Sequence, residues 1–243
     1  MKTNKKILII IPAYNEEESI GRIIDNIKNH MPHADILVIN DGSGDATSKV
    51  ARQKNILVID LPFNLGIGGT MQTGYRFAKE GGYEIAVQCD GDGQHPAYQI
   101  KNLISLLFEA RADLVVGSRF LKKFSYRSNI SRQIGIILFS KLLSFITKTK
   151  LTDTTCGFRA LNKKAINLFS DYYPYDYPEV EALVLAHKGG LKIKEMPIRI
   201  HPRKQGNSSI GFLGSFYYAV KVFLAVLIDL FESIPHKKER IKC

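Results

Sequence analysis

Two aspartates one residue apart, Asp90 and Asp92 in Val87-Gln88-Cys89-Asp90-Gly91-Asp92-Gly93-Gln94-His95-Pro96, are the residues of this chain best suited to chemistry. An apolar run, Ile85-Ala86-Val87, delivers them into a Gly-rich turn. Such a turn offers oxygen ligands to a hard divalent cation, which a nucleotide diphosphate also needs. Asp and Gly are also ordinary turn residues, so the pair gains meaning only from its surroundings. His95 and Cys89 read as turn and core residues rather than ligands.

The elements that must position this turn are legible as alternating patterns. Ile7–Ile11 is a continuous apolar run, as in a strand buried on both faces of a parallel sheet. Glu16–His30 carries Ile20, Ile23, Ile24 and Ile27 at helical spacing, with acids in its first turn. Strands are expected at 36–39, 56–59, 85–87 and 114–116, and helices over Thr47–Lys54, Thr70–Lys79 and Ile100–Ala110. This alternation predicts an α/β doubly wound, mostly parallel sheet flanked by helices, with ligands at the carboxyl ends of the strands. Asn40-Asp41-Gly42-Ser43, Asn64-Leu65-Gly66-Ile67-Gly68-Gly69, the aspartate turn and Gly117-Ser118-Arg119 all fall at such ends. Farther on, helices are expected near Lys163–Phe169 and through His187, and a last strand over Ile193–Ile200.

Composition narrows the function classes. The 243 residues fit one α/β domain with a short appendage, and a net charge of +11 calls for nucleic acid, anionic lipid or a phosphorylated substrate. Three dispersed cysteines form neither a zinc pattern nor a disulfide framework and suggest a reducing cytosol. The glycines at 66, 68 and 69 follow the third strand with a spacing unlike the dinucleotide fingerprint, which argues against a dehydrogenase.

Taken in order, Pro12-Ala13-Tyr14-Asn15-Glu16, Asn40-Asp41-Gly42-Ser43, the 64–69 loop, Asp90-Gly91-Asp92-Gly93-Gln94-His95-Pro96, Gly117-Ser118-Arg119, Gly157-Phe158-Arg159 and the basic loop near 203 closely resemble a family 2 glycosyltransferase of the GT-A fold. The likeness is greatest to the dolichol-phosphate mannosyltransferase and polyprenyl-phosphate glycosyltransferase branch, over residues 7 to about 210. It implies a Mg²⁺ or Mn²⁺ cofactor held by Asp92 and Gln94, with Asp90 on the nucleotide or reaching the metal. It implies that Pro12, Ala13, Tyr14, Glu16 and Asp41 surround the base and ribose and that Gly69 and Gly91 belong to the nucleotide-sugar site, while the glycines at 66, 68 and 69 let the backbone approach the donor closely. Arg203 and Lys204 correspond to a loop that closes over the donor phosphates.

Arg119 and Arg132 are candidates for an acceptor phosphate, since a guanidinium grips phosphate oxygens bidentately. An acceptor phosphate is already ionised and needs little general-base help, whereas a hydroxyl acceptor needs a base. Asp153 is the residue chosen to lie near the acceptor, with a structural cap as its alternative; Asp176, Glu179 and Glu181 follow the Tyr-rich segment.

The resemblance implies a nucleotide-sugar donor, UDP-glucose or UDP-N-acetylglucosamine before GDP-mannose, and a polyprenyl phosphate (undecaprenyl or dolichyl) acceptor at the cytosolic membrane face. Two domains are expected, 1–210 for transfer and 211–243 as a helix and basic tail that meet a membrane or a partner. Gly211–Phe231 has only Lys221 and Asp229 charged, but a mid-segment lysine disfavours a bilayer span. An interfacial helix fits better, with Ile130–Ile146 in the same interface. The two C-terminal membrane helices common in that branch are not visible, which points to a small membrane-protein partner, a homo-oligomer or a peripheral enzyme. The competing readings are transfer to a glycan or lipid-linked hydroxyl, and a non-enzymatic basic module for membranes or nucleic acid. The ordered strand-end aspartates favour an enzyme without nucleic acid.

Overall fold

The computed structural model describes residues 5–121 and 130–200, together with Lys221 and Leu224. Seven strands form one sheet in the order β3-β2-β1-β4-β6-β5-β7. They are β1 (Ile7–Ala13), β2 (Asp35–Asn40), β3 (Leu57–Asp60), β4 (Ile85–Gln88), β5 (Leu114–Ser118), β6 (Arg159–Asn162) and β7 (Ile193–Pro197). All pairings are parallel except those of β6, which runs antiparallel to both β4 and β5. Helices accompany them among the described residues: α1 (Ile20–His30), α2 (Thr47–Arg52), α3 (Gly66–Glu80), α4 (Ile100–Glu109), α5 (Ile130–Thr147), α6 (Lys163–Asp171) and α7 (Pro178–Lys188).

The apolar run at 7–11 is a central strand because helices cover both faces, and every residue of β1 is buried. Each fully buried Ile or Leu there contributes roughly 1.5–3 kcal/mol, an upper figure because the unfolded chain already hides some apolar surface. α1 turns Ile20, Ile23, Ile24 and Ile27 onto the sheet, as their spacing requires. α3 lies closer still: a methyl added to Gly74 would sit 2.6 Å from Ile10.

Some expected boundaries shift. α1 starts at Ile20, so the acids at 16–18 precede the helix. α3 begins at Gly66, four residues before the expected start, because Gly66 takes a left-handed φ of +74° that directs the chain into it. The strand expected over 193–200 ends at Pro197. β6 is an addition: Arg-Ala-Leu-Asn has too few apolar residues for a strand signal, and its neighbours on both sides impose the pairing.

Between β1 and β4 the sheet order reverses, since the chain builds β2 and β3 on one side of β1 and then returns to add β4 on the other. Such a switch point leaves a crevice outside the carboxyl ends of the two strands. Pro12 and Ala13 end β1 there, and the aspartate turn begins just past the end of β4.

Candidate active site

At the switch point the end of β1 and the turn after β4 approach closely: a Cβ on Gly91 would stand 2.9 Å from the Pro12 carbonyl oxygen. The Ser19 hydroxyl, just before α1, lies 2.7 Å from the Gly91 carbonyl and 2.6 Å from Glu16 Oε2. It has one proton, so it serves one of these acceptors at a time. Asp92 Oδ1 accepts the Gln94 N–H at 3.0 Å, and Gly93 adopts φ +76° to tighten the turn.

Asp90 is shaped from behind. Its N–H donates to His95 Nδ1 at 3.2 Å, so that nitrogen is unprotonated and the imidazole carries its hydrogen on Nε2. The 3.6 Å approach of Asp90 Oδ2 to the same nitrogen is therefore proximity, not an ion pair. The His95 ring stacks on Phe158 at 4.8 Å, fixing both. Beneath, Tyr75 Oη donates to Gln88 Oε1 at 3.3 Å and Gln88 Nε2 reaches Asp90 Oδ1 at 3.5 Å, the outer limit of a hydrogen bond. Gly157 closes the wall, for a Cβ there would meet both Asp90 oxygens at 2.9 and 3.0 Å.

Backbone-directed hydrogen bonds clip the loops of the β1–β3 side together. Asn15, left-handed at φ 54°, donates its N–H to Ser43 Oγ and accepts the Gly44 N–H on Oδ1, both at 2.9 Å. Glu17 Oε2 accepts from the Ala46 N–H while Asp45 Oδ2 accepts from the Glu17 N–H. Burial raises the Asp45 pKa, but hydrogen bonds from the Thr47 hydroxyl and amide and the Glu17 amide outweigh it and hold the carboxyl below its ordinary value. Asp41, only 5% exposed, accepts the Leu65 N–H at 2.7 Å and so fixes the loop that starts α3. Gly42 packs on that same loop, with φ +68° and the Phe63–Asn64 backbone 2.8 Å from where a Cβ would be.

On the β5 side the charges are sealed. Arg119 Nε and Nη2 donate to the two oxygens of Asp153 at 2.6 and 2.7 Å, and Nη2 also reaches Thr155 Oγ1 at 2.7 Å. The Asp153 side chain is fully buried and that of Arg119 is 10% exposed. Beneath them Glu195 accepts the N–H groups of Thr152 and Asp153 at 2.7 and 2.9 Å and the Thr152 hydroxyl at 2.7 Å. Burial pushes the Glu195 carboxyl upward against those hydrogen bonds, and Asp153 adds to the rise. Ser118 joins through a 2.6 Å contact with Thr152 Oγ1 and accepts from the Phe120 and Leu121 amides. Between the two sides lies Cys156, whose thiol burial raises to about 12 and which feels Asp153, Arg119 and Asp90 alike.

The structure thus brings Pro12, Ala13, Tyr14, Glu16, Asp41, Gly69, Asp90, Gly91, Asp92 and Gln94 to one sheet edge, with Tyr14 half exposed. It binds Arg119 and Asp153, expected to serve separately, into a single pair. Enclosed by a guanidinium and by amides, Asp153 does not stand open as a base. Arg132 is carried by α5, and its side chain lies outside the described residues, as do Arg203, Lys204 and nearly all of the 211–243 segment. Gln88, Thr152 and Glu195 are additions, and Arg159, named before only within the Gly157-Phe158-Arg159 motif, gains a place beside the site.

Among the described residues no three His, Cys, Asp or Glu side chains cluster as a closed metal cage. Two partly exposed carboxylates and the Gln94 amide instead fit a cation shared with a ligand's phosphates, the manner in which Mg²⁺ is usually held.

Comparison with known proteins shows the family to which this fold and sheet edge belong. The profile of glycosyl transferase family 2 matches residues 8–169. A UDP-N-acetylglucosamine–dolichyl-phosphate N-acetylglucosaminyltransferase of Methanococcus voltae is 32% identical over 81% of this chain and 86% of its own. An undecaprenyl-phosphate mannosyltransferase of Micrococcus luteus is 30% identical over 84% and 87%. Glucosyl-3-phosphoglycerate synthase of Mycobacterium tuberculosis, solved with Mn²⁺, UDP and phosphoglyceric acid, superposes with a TM-score of 0.72 at 18% identity, covering 96% of this chain and 81% of that one. The chain belongs to glycosyl transferase family 2, and its fold is GT-A.

Proposed function

We propose that this protein is a metal-dependent inverting transferase that moves one sugar from a nucleotide-sugar, UDP-glucose or UDP-N-acetylglucosamine, to polyprenyl phosphate at the cytoplasmic face of a membrane. The observation that carries this reading is a conjunction. Relatives at 30% and 32% identity, aligned along four-fifths of the chain, are named for undecaprenyl-phosphate and dolichyl-phosphate substrates. The Asp90–Asp92 turn stands at the β1–β4 switch point with its carboxylates partly exposed.

In this reading the 12–16 and 40–45 loops hold the nucleoside, and Asp92 with Gln94 faces the diphosphate. A divalent cation bound there supplies positive charge to the departing diphosphate. An acceptor phosphate oxygen forms the new bond to the anomeric carbon as the bond to the diphosphate breaks, its electron pair leaving with the nucleotide. The acceptor is already an anion, so no side chain needs to remove a proton. This agrees with the sealed state of Asp153, whose role becomes to fix Arg119 at the end of β5.

The membrane face is supported by α5. Ile137 and Phe145 are 53% and 85% exposed and share one face of α5 with the exposed Lys141, and Lys148, also exposed, follows just past the end of the helix. Apolar residues interleaved with lysines suit an anionic lipid surface. Among the described residues no helix is long and apolar enough to cross a membrane.

The test is a donor screen with undecaprenyl phosphate in anionic vesicles and Mg²⁺ or Mn²⁺, read by mass spectrometry. A sugar–phosphate–polyprenol product with inverted anomeric configuration is expected. Transfer only to a hydroxyl acceptor, or donor hydrolysis alone, would overturn the acceptor assignment.

A further inference from the structure

Arg159, the first residue of β6, is the largest fully buried side chain, 1% exposed. It has no salt bridge among the described residues. Its Nε donates to the Cys156 carbonyl at 2.9 Å, its Nη2 donates to the Glu179 carbonyl at the start of α7, and its Nη1 has no hydrogen-bond partner. A buried guanidinium that hydrogen-bonds two carbonyls and no carboxylate is costly, because neutral acceptors only partly replace its lost hydration. Packing does not explain such a choice, since an apolar side chain would fill the same volume without that penalty.

What the guanidinium grips is informative. The Cys156 carbonyl precedes Gly157, and Gly157 is the surface that limits both carboxylate oxygens of Asp90. Register adds a second route: Arg159 pairs with Gln88, whose amide reaches Asp90 from below. The charge is also felt where that of Asp90 is felt, at Tyr75, Tyr173 and Glu179. At Glu179, burial raises the carboxyl pKa, Arg159 lowers it and Asp90 raises it.

We propose that Arg159 is a positioning residue for the transfer site, holding the Cys156–Gly157 turn so that Asp90 keeps the orientation needed to receive cation and nucleotide. The inference rests on the transferase reading above.

The test is a double-mutant cycle of Arg159→Gln with Asp90→Asn, run on the full chain with two readouts. One is Mn²⁺ binding, followed by the electron paramagnetic resonance of free Mn²⁺ without donor or acceptor; the other is kcat for transfer. If Arg159 acts through Asp90, R159Q weakens Mn²⁺ binding and lowers kcat about tenfold or more in the native background and has little effect on D90N, since residues in one network are not additive. R159K, which keeps the charge and one donor, is expected to recover part of both losses. Equal effects of R159Q in the two backgrounds, at unchanged melting temperature, would overturn the proposal. Should R159Q fail to fold, the cycle is run with R159K, where additivity is again the refuting result. A wild-type chain that binds Mn²⁺ but transfers no sugar would sink the transferase reading and leave the Mn²⁺ cycle to judge Arg159 alone.

Discussion

Asp90 and Asp92 stand partly open at the end of β4, while Asp153, across β6 and beside the end of β5, is closed off by Arg119, Thr155 and backbone amides. Both regions lie on one sheet edge and both are rich in charge, yet they use it oppositely. On the β1–β4 side, side-chain oxygens are spent on the amides of neighbouring loops, and the two central carboxylates are left for a ligand. On the β5–β7 side, every carboxylate already has its cation or its donors. Open charge suits an exchangeable ligand; sealed charge suits a frame that must not move. The split explains how a site for two anionic substrates can be stable before either binds.

The largest effect is expected from breaking the frame. Asp153→Ala takes the paired carboxylate away from the buried Arg119 guanidinium, and loss of one partner of such a pair costs about 3–5 kcal/mol. Urea unfolding of the variant should show that drop. The double variant Arg119→Met, Asp153→Leu should regain part of it, because an apolar pair needs no compensation. If Asp153→Ala melts like wild type, the β5 side is not the rigid half.

Next comes the open half. Asp92→Ala should lower kcat for transfer by about 10²–10³, the scale for removing one electrostatic contact to developing charge. It should also abolish the Mn²⁺-dependent rise in melting temperature caused by donor, while stability without ligand changes by no more than about 0.5 kcal/mol, as for surface substitutions. A variant that keeps the metal-dependent rise would remove Asp92 from the cation site.

A third change sits on the border between the halves. Gly157→Ala places a methyl within 3.0 Å of both Asp90 oxygens, and the carboxylate, being a side-chain end, can swing aside. The expected result is a kcat lower on the order of 10- to 100-fold with little loss of stability, since small misplacements of reacting groups are expensive. Equal losses of stability and activity would mean that Gly157 serves the fold alone.

How far these features were legible in the sequence follows from what each depends on. Strands with continuous apolar runs and the helix with Ile20, Ile23, Ile24 and Ile27 are set by local pattern, and they stand where the pattern put them. The gathering of Pro12, Asp41, Asp90 and Asp92 was legible because strand ends in such a sheet share an edge. β6 was not, because pairing with β4 and β5, rather than its own four residues, makes it a strand. The Arg119–Asp153 pair was hidden for the same reason: its members lie 34 positions apart, and only the antiparallel return of the chain joins them. An arginine read alone suggests a phosphate; an arginine read with its fold can already have a partner.

The smallest expected effect asks whether the sealed half is also the half that meets lipid. α5 is tied to it directly: Ser144 Oγ accepts the Leu151 N–H at 2.9 Å, two residues before Asp153. Lys141 is exposed on the stripe that also carries Phe145, and Lys148 is exposed one residue past the end of α5. If that stripe rests on an anionic surface, each lysine adds about 1 kcal/mol to binding, so one charge removed weakens it by roughly fivefold. Lys141→Gln and Lys148→Gln should therefore each reduce co-sedimentation with phosphatidylglycerol-containing vesicles by about that factor, with the difference fading at high salt. Phe145→Ser should weaken binding at high and low salt alike, because its contribution is apolar burial and not charge. Transfer to a short, water-soluble polyprenyl phosphate should remain unchanged in all three, which separates docking from catalysis. Unaltered vesicle binding in the three variants would move the lipid-facing surface away from α5, leaving the sealed half as a frame without a membrane role.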